Sequence, residues 1–598
     1  MSSGPDDLDW TPDGAPRSRR FGDVYFSLQD GLAESRAVFL AGCGLPEAWA
    51  GRRRFTVAEL GFGTGLNILA LLDLWRRERP ADGQLHIFTV EADPLSAAAA
   101  ARAHAAWPEL AELSALLTER WPAATPGFHR VDLPELNAVL DLAVMDAAAA
   151  LEAWSGPADA WFLDGFAPAT NPQMWSDAVL DGVAARSAPG ARVATFTVAG
   201  AVRRGLADRG FAVAKRPGHG RKRERLEAVA PGAVTEPAPP DRVAIIGAGI
   251  AGAAAARALA ALGLTPVVIE AEAPGAGASG FPAALVTPRL DAGDAAIAAL
   301  HAQALERAGQ LYRQTPGAVI AEGVLRLEQA ARDARRFDRI AEQPLWAEGA
   351  MARLDAAELS ARLGEPSAVG GLDMRQALTV RPPAILRTWL EGAQIVEGRA
   401  ARLVTADGRW RVLDGNGRTV VEAGAVVLAA GLGKAALLPQ LGLQAVRGQA
   451  EWADGFAAPP AATWGGYALP TAEGVLFGAT HDRDETGVEI RIADRARNQA
   501  RLAEALPVLA ARLDGHPVHS RAAVRATTAD RHPLCGPAPG RPGLWLLGGL
   551  GSRGFVLAPL LGEHLAARIA GAPSPLAGGA EALVRPDRPA VSGSGDLG

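Results

Sequence analysis

Four acidic residues and two glycine-rich loops are the parts of this chain best suited to chemistry. Glu59-Leu60-Gly61-Phe62-Gly63-Thr64-Gly65 follows the apolar run Phe55-Thr56-Val57-Ala58, so a strand turns sharply through glycines into a helix opening near Leu66. Such a turn brings backbone amides close to a ligand, and the helix N-terminus favours an anionic group. Glu91 closes the run Ile87-Phe88-Thr89-Val90, where a carboxylate can take both ribose hydroxyls. Asp146 follows another apolar run and can accept from an adenine amino group. Asp164, in Trp161-Phe162-Leu163-Asp164-Gly165-Phe166-Ala167-Pro168, follows a further strand and is placed to meet an acceptor. The competing reading makes all of these acids helix or loop caps.

The second loop is Gly247-Ala248-Gly249-Ile250-Ala251-Gly252, between the run Val243–Ile246 and an alanine-rich helix. Glu270 closes the next strand at the ribose-binding offset, completing a dinucleotide fingerprint. FAD and NAD share that fingerprint. Three further elements favour FAD: the small-residue segment Ala276–Gly280 with Ser279, the strand-to-glycine element Val426–Gly431, and Gly549, Gly551, Ser552 and Arg553 opening a last helix at Phe555–Ala570. The first loop with Glu91 and Asp146 has the layout of class I S-adenosylmethionine methyltransferases. The chain is therefore expected to use two cofactors, FAD and S-adenosyl-L-methionine.

These motifs need two scaffolds. At 598 residues the chain exceeds one ordinary core. Pro231-Gly-Ala-Val-Thr-Glu-Pro-Ala-Pro-Pro240 makes a stiff linker. Residues 1–230 alternate strands (Phe55–Leu60, Leu85–Val90, Leu142–Met145, Ala160–Leu163, Arg192–Phe196) with helices (Leu66–Arg77, Pro94–Trp107), which predicts a Rossmann-like, doubly wound α/β sheet. Residues 241–586 open as βαβ. A helical stretch (about 294–363), strand-rich segments (Arg402–Val421, Tyr467–Asp482), the strand Ala425–Leu428 and a late strand Trp545–Leu547 follow, which suits a nucleotide domain with an inserted α+β substrate domain. Residues 587–598 read as a disordered tail.

Composition narrows the class. With 49% hydrophobic and 21% charged residues the chain is globular, and a net charge of −6 gives no global basic field for nucleic acid. A local patch would have to serve: Lys215, Arg216, His219, Arg221, Lys222, Arg223 and Arg225, read equally well as a charge-protected strand edge. Two cysteines, Cys43 and Cys535, exclude a disulfide framework and suit a reducing cytoplasm. No signal-like N-terminus, membrane-length apolar run or H-x-x-x-H pair occurs, so neither membrane nor metal is expected.

The motifs in this order resemble the bifunctional tRNA 5-methylaminomethyl-2-thiouridine biosynthesis family. The resemblance runs through Asp23–Ser27, Glu59–Asn67, Trp161–Pro168, Ala194–Thr197, Arg203–Gly205, Gly220–Glu224, Gly277–Gly280, Phe477–Thr480 and Gly549–Gly554. It departs at Phe281-Pro-Ala-Ala284 and at Glu91-Ala-Asp93, where both pockets take their fine shape. The resemblance implies a C-terminal FAD domain of the D-amino-acid oxidase-like (glutathione reductase-type) fold that oxidatively removes the carboxymethyl group from a wobble 5-carboxymethylaminomethyl-uridine. An N-terminal domain then methylates the exposed amine. Arg525, in Arg521–Pro533, resembles the family arginine that holds a substrate carboxylate, with a surface ion pair as the competing role. Asp164 would orient the amine and accept its proton. Two other readings stay open: a glycine- or sarcosine-like oxidase fused to an amine methyltransferase without RNA, and a non-catalytic RNA-binding scaffold. The sequence does not address oligomeric state.

Overall fold

The computed structural model describes residues 8–12, 14–26, 31–220, 223–233, 239–457 and 459–589. The chain divides into two compact units, Met1–Pro237 and Ala238–Gly598.

The first unit is built on an eight-stranded sheet. Its order is Gly127–Leu133, Ala138–Val144, Gln84–Val90, Arg54–Leu60, Ala158–Leu163, Ser187–Thr195, Glu224–Val229, Ala212–Pro217. The five strands from Ala138–Val144 to Ser187–Thr195 are parallel, and antiparallel strands close both edges. Arg54–Leu60, the central strand, is buried along nearly its whole length. That burial is why its sequence is a continuous apolar run rather than an alternating one. Trp49, Trp75, Trp154 and Trp161 are fully buried around it. The helix expected over Pro94–Trp107 is shorter, Ala97–His104, because Ser96 caps it by accepting from the Ala99 N–H.

The second unit carries a six-stranded sheet ordered Gln394–Glu397, Pro266–Glu270, Val243–Ile246, Ala425–Leu428, Leu544–Gly548, Leu534–Pro537. All neighbours are parallel except the last pair. The helices Ile250–Ala261 and Gly554–Ala570 pack together through Gly562, whose missing Cβ would meet Ala254 backbone at 2.8 Å. A separate ten-stranded sheet, centred on Gly371–Val380, Val319–Leu327 and Gln444–Asp454, supplies the inserted α+β layer. The stretch expected to be helical from about 294 to 363 is interrupted by strands Val319–Leu327 and Met351–Leu354. In Val319-Ile-Ala-Glu-Gly-Val-Leu, β-branched residues and Gly323 outweigh the helical signal on either side.

At the C-terminal end, Asp587 pairs with Arg585, and the Arg588 guanidinium donates to Asp530 at 2.7 and 3.0 Å. The start of the expected tail is thus fastened down, and residues 590–598 lie outside the described residues. Within the linker, 234–238 also lie outside them. Each unit owns its own buried core. Fragments 1–233 and 239–598, expressed separately, are expected to fold alone and retain S-adenosylmethionine and FAD binding respectively. Calorimetric titration of each cofactor checks this, and two insoluble fragments would refute it.

Candidate functional site

The first site is a pocket of about 1010 Å³ beyond the carboxyl ends of the parallel strands. Gly61, Gly63, Glu91, Asp146 and Asp164 line it, together with Phe21, Tyr25 and Phe166. Gly61 has φ 94°, and a side chain there would collide with the Asp164 carbonyl oxygen. Only glycine lets the first strand turn while Asp164 crosses its path. Glu91 accepts from the Gly63 N–H at 3.0 Å and the Asp93 N–H at 3.1 Å, so it is tied to the glycine loop. Burial raises its carboxyl above the usual range. Asp146 caps the helix Ala147–Ala153, accepting from Ala148 and Ala149 through one oxygen, and is exposed on the pocket side. It fills the capping role and the wall position together.

Two residues expected in direct contact stand elsewhere. Glu59 is fully buried behind the pocket, accepting from the Thr89 hydroxyl at 2.7 Å and the Asn67 amide at 3.1 Å. Gly65 does not line the pocket either; it caps the helix Leu66–Glu78 with φ 79°. Asn67, overlooked in the sequence, links Glu59 to Asp164 by donating to the Asp164 carboxylate at 2.7 Å. The signal was an amide set in the apolar run Leu66-Asn67-Ile68-Leu69. In the same pocket Phe166 packs against Phe21 and Tyr25, with ring centroids 4.8 and 5.3 Å away.

The basic cluster falls on the hairpin Ala212–Pro217/Glu224–Val229. Lys215 pairs with Glu224 at 2.8 Å, while Arg216 and Arg225 share Glu227 at 3.6 and 2.6 Å. Arg216 is thus part of a charge-paired strand edge, and Arg223 is exposed. Arg221 and Lys222 lie outside the described residues. At the tip, His219 and Gly220 reach the rim of the pocket.

The second site is a cavity of about 1610 Å³. Gly247, Gly249, Glu270, Ser279, Arg525, Gly549, Gly551, Ser552 and Arg553 line it. Glu270 accepts from Ala248 and Ala271 amides at 2.7 and 2.8 Å, and the Ser279 hydroxyl accepts from the Ile250 N–H at 3.0 Å, in front of the helix N-terminus. Gly252 does not line the cavity; a side chain there would strike the Gly247 carbonyl, so it serves close helix–strand packing. Gly247 has φ 103°, and a Cβ would stand 2.9 Å from the Ala430 Cα. Gly247→Val is expected to abolish FAD binding while leaving S-adenosylmethionine binding intact, seen as a colourless but folded protein. Retained yellow colour would refute this.

Arg553 is half-buried and donates to Thr287; loss of solvent, with Arg326 and Arg289 nearby, lowers its guanidinium to about 10. Arg525 is also inside the wall, with burial lowering its guanidinium. It donates to the Thr480 carbonyl at 3.3 Å, and among the described residues no carboxylate pairs with it. The surface ion-pair role is therefore set aside. Gly448 clears the room it occupies, since a Cβ there would stand 2.5 Å from the guanidinium. Lys434, not singled out in the sequence, also borders the cavity. It is fully buried, its Nζ lacks a hydrogen-bond partner among the described residues, and burial pushes it down to about 7. A buried amine without a partner beside a cavity can take up a proton when an anionic ligand arrives.

Both sites have what their cofactors need: amides and glycine clearance for phosphate or carboxylate, and strand-end acids for ribose. Cys43 and Cys535 are buried free thiols, Cys43 pushed up to about 12, so neither is a reactive thiol. Among the described residues, no helix is long and apolar enough to cross a membrane, and no group of three or more His, Cys, Asp or Glu could hold a metal.

Comparison with known proteins agrees with the two-site architecture. Residues 242–568 match the family model of FAD dependent oxidoreductases, and residues 108–231 that of an S-adenosyl-L-methionine-dependent methyltransferase. The tRNA 5-methylaminomethyl-2-thiouridine biosynthesis bifunctional protein MnmC of Caulobacter sp. (strain K31) is 57% identical over 590 residues, covering 97% of each chain. The protein of the same name from Thiobacillus denitrificans (strain ATCC 25259 / T1) is 41% identical, covering 94% of this chain and 95% of its own. The crystal structure of iminodiacetate oxidase from Chelativorans sp. BNC1 is similar over 56% of this chain and 96% of that one, at 26% identity and a TM-score of 0.49. With both family models matched and near full-length identity to such relatives, the chain belongs to the MnmC family of bifunctional tRNA 5-methylaminomethyl-2-thiouridine biosynthesis proteins.

Proposed function

We propose that the flavin unit removes the carboxymethyl group from 5-carboxymethylaminomethyl-(2-thio)uridine at the tRNA wobble position, and that the first unit methylates the resulting 5-aminomethyl group. The chain is a bifunctional enzyme, an FAD-dependent oxidoreductase joined to an S-adenosylmethionine-dependent tRNA methyltransferase. What carries the finer reading is one pairing: a half-buried arginine in the flavin cavity with no carboxylate partner among the described residues, and a strand-end acid beside an aromatic wall in the other pocket.

Bound FAD supplies the two-electron acceptor, and bound S-adenosylmethionine the methyl group. Gly247, Gly249, Glu270, Ser279 and the Gly549–Arg553 loop would hold the first; Gly61, Gly63, Glu91 and Asp146 would hold the second. The carboxymethylamine is a glycine whose nitrogen carries the nucleoside. Arg525 grips its carboxylate and fixes the α-carbon for oxidation; water then splits the imine into glyoxylate and the primary amine. In the other pocket that amine must be neutral to attack. An amine of lysine-like pKa is neutral in about one molecule in a thousand at pH 7, a cost of roughly 4 kcal/mol. Phe21, Tyr25 and Phe166 disfavour the charged form by desolvation, and Asp164 orients the amine and takes its proton. The tRNA phosphates meet the basic run of Arg216, Arg221, Lys222 and Arg223 in a salt-sensitive contact. A tRNA substrate makes the cytoplasm its place of work.

The test is mass spectrometry of wobble nucleosides after incubation with carboxymethylaminomethyl tRNA. Without S-adenosylmethionine the aminomethyl form is expected to accumulate, and with it the methylaminomethyl form. Turnover of free glycine with modified tRNA left untouched would favour the small-molecule reading instead.

A further inference from the structure

Behind Asp164 lies a buried polar chain to which the methyl-transfer chemistry gives no direct part. Asn67 sits in the first turn of the helix Leu66–Glu78 and is 8% exposed. Its amide nitrogen has two hydrogens, and each meets a carboxylate: Asp164 at 2.7 Å and Glu59 at 3.1 Å. Its amide oxygen accepts from the Ser35 hydroxyl at 2.6 Å. Glu59 in turn accepts from the Thr89 hydroxyl at 2.7 Å. Every polar atom of Asn67 is engaged, so the amide cannot flip without presenting its oxygen to two acids.

The two bridged acids have different surroundings. Asp164 faces the pocket, whereas Glu59 is fully buried. Burial, reinforced by the charges of Asp164 and Glu91 and only partly offset by the Thr89 and Asn67 hydrogen bonds, holds the Glu59 carboxyl well above the usual range. Asn67 thus ties the buried acid to the acid that lines the pocket, and an N–H donated to a carboxylate favours its charged form.

Resting on the assignment of Asp164 to the acceptor amine, we propose that Asn67, backed by Glu59, is a positioning residue. It fixes the Asp164 carboxylate toward the pocket and keeps it in its charged, proton-accepting form. The alternative is that Asn67 only satisfies polar atoms in the core. Two substitutions test this. Asn67→Asp preserves size but replaces the donor with a third acid, while Asn67→Ala removes the donor and leaves a gap. Under either role Asp disturbs the two acids, so S-adenosylmethionine affinity and the pH profile separate them: the positioning role moves the acid break because an added acid beside Asp164 disfavours the charged form.

The experiment measures methyl transfer to aminomethyl tRNA across pH in the full-length protein, per titrated S-adenosylmethionine site. The flavin reaction of the same chain serves as folding control. Asn67→Ala is expected to lower kcat about 10-fold with S-adenosylmethionine affinity within about 2-fold of wild type. Asn67→Asp is expected to be about 10-fold slower again near neutrality and to recover as pH rises. In both variants the acid break of the rate profile moves to higher pH. The surrounding groups are Arg20, Asp23 and Tyr25 in the N-terminal segment, Glu34, Glu91 and Asp146, and His219 on the hairpin. All are common to every variant, so the comparison isolates Asn67. Asn67→Asp closer to wild type than Asn67→Ala, or an unmoved acid break, overturns the proposal. An Asp164→Ala variant measured alongside tells the failures apart: if it too methylates normally, the assignment of Asp164 is at fault rather than that of Asn67.

Discussion

Asp164→Ala is expected to slow methyl transfer by about 10²-fold or more, the usual scale for loss of a positioned acid–base group. S-adenosylmethionine affinity should stay within a few-fold, because the groups proposed to hold it stand on other elements. Glu91 is tied to the Gly63 amide, and Asp146 caps its own helix. Asp164 is fixed independently, its backbone N–H donating to the Leu60 carbonyl at 3.1 Å and its carboxylate held by Asn67. The backbone bond survives truncation, so the strand end and the glycine turn keep their shape. The wobble nucleoside would then stall as the aminomethyl form, since the flavin unit has its own separate site. Mass spectrometry of digested tRNA reads that stall directly. Accumulation of the carboxymethylaminomethyl form would place Asp164 in the wrong reaction, and an unchanged methylation rate would reduce it to a loop-capping acid.

What the sequence disclosed and what it hid follow one physical division. Backbone requirements were legible. Gly61 and Gly247 must be glycine because their φ values are positive and neighbouring backbone leaves no room for a Cβ, and such constraints write themselves into the residue type. Strand-end acids were legible too, since a parallel strand ends at the ligand side of its sheet. The direction in which a side chain points was not. Glu59 lies in the same motif as Gly61 and Gly63, yet it is turned inward against Thr89 and Asn67, a matter of strand parity that the motif does not carry. Gly65 and Gly252 likewise share their loops with cavity-lining glycines but serve helix capping and helix–strand packing.

Long-range pairing was the other hidden quantity. Gly127–Leu133 was not expected as a strand, and the hairpin of Ala212–Pro217 with Glu224–Val229 only as a charge-protected strand edge competing with an RNA patch, because an edge strand needs only one buried face and can be largely polar. The same hairpin turns a run of basic residues into cross-strand ion pairs with Glu224 and Glu227, which no linear reading of charge reveals. Lys434 escaped notice for a similar reason. A lysine in Gly431-Leu-Gly-Lys-Ala-Ala-Leu437 looks like a surface residue until the strand Leu544–Gly548, distant in sequence, covers it.

Arg525→Met is expected to leave FAD bound but to lower the kcat/KM of the flavin reaction by about 10²- to 10³-fold, corresponding to roughly 3–4 kcal/mol for a charge-assisted contact in a cavity wall. Arg525 is the candidate because, among the described residues, no carboxylate pairs with its charge. Burial already works against the guanidinium, and the Thr480 carbonyl, at 3.3 Å, is a neutral partner at the long end of hydrogen bonding. A substrate carboxylate would supply both the missing charge and two parallel acceptors. Methionine is apolar and of comparable length, so it removes the charge without opening a large gap beside Gly448, and the free protein should be no less stable. Arg525→Lys is expected to recover little, because an ammonium cannot form the two-point contact. Two measurements check this: the rate of flavin bleaching as modified tRNA is raised, and the change in flavin absorbance on titrating a small carboxylate such as glycolate. Wild-type protein should show a saturable absorbance change that Arg525→Met lacks. An equal carboxylate response in both proteins, with an unaltered bleaching rate, would move the substrate carboxylate to another cation on the same wall, with Arg326 and Arg289 next in line.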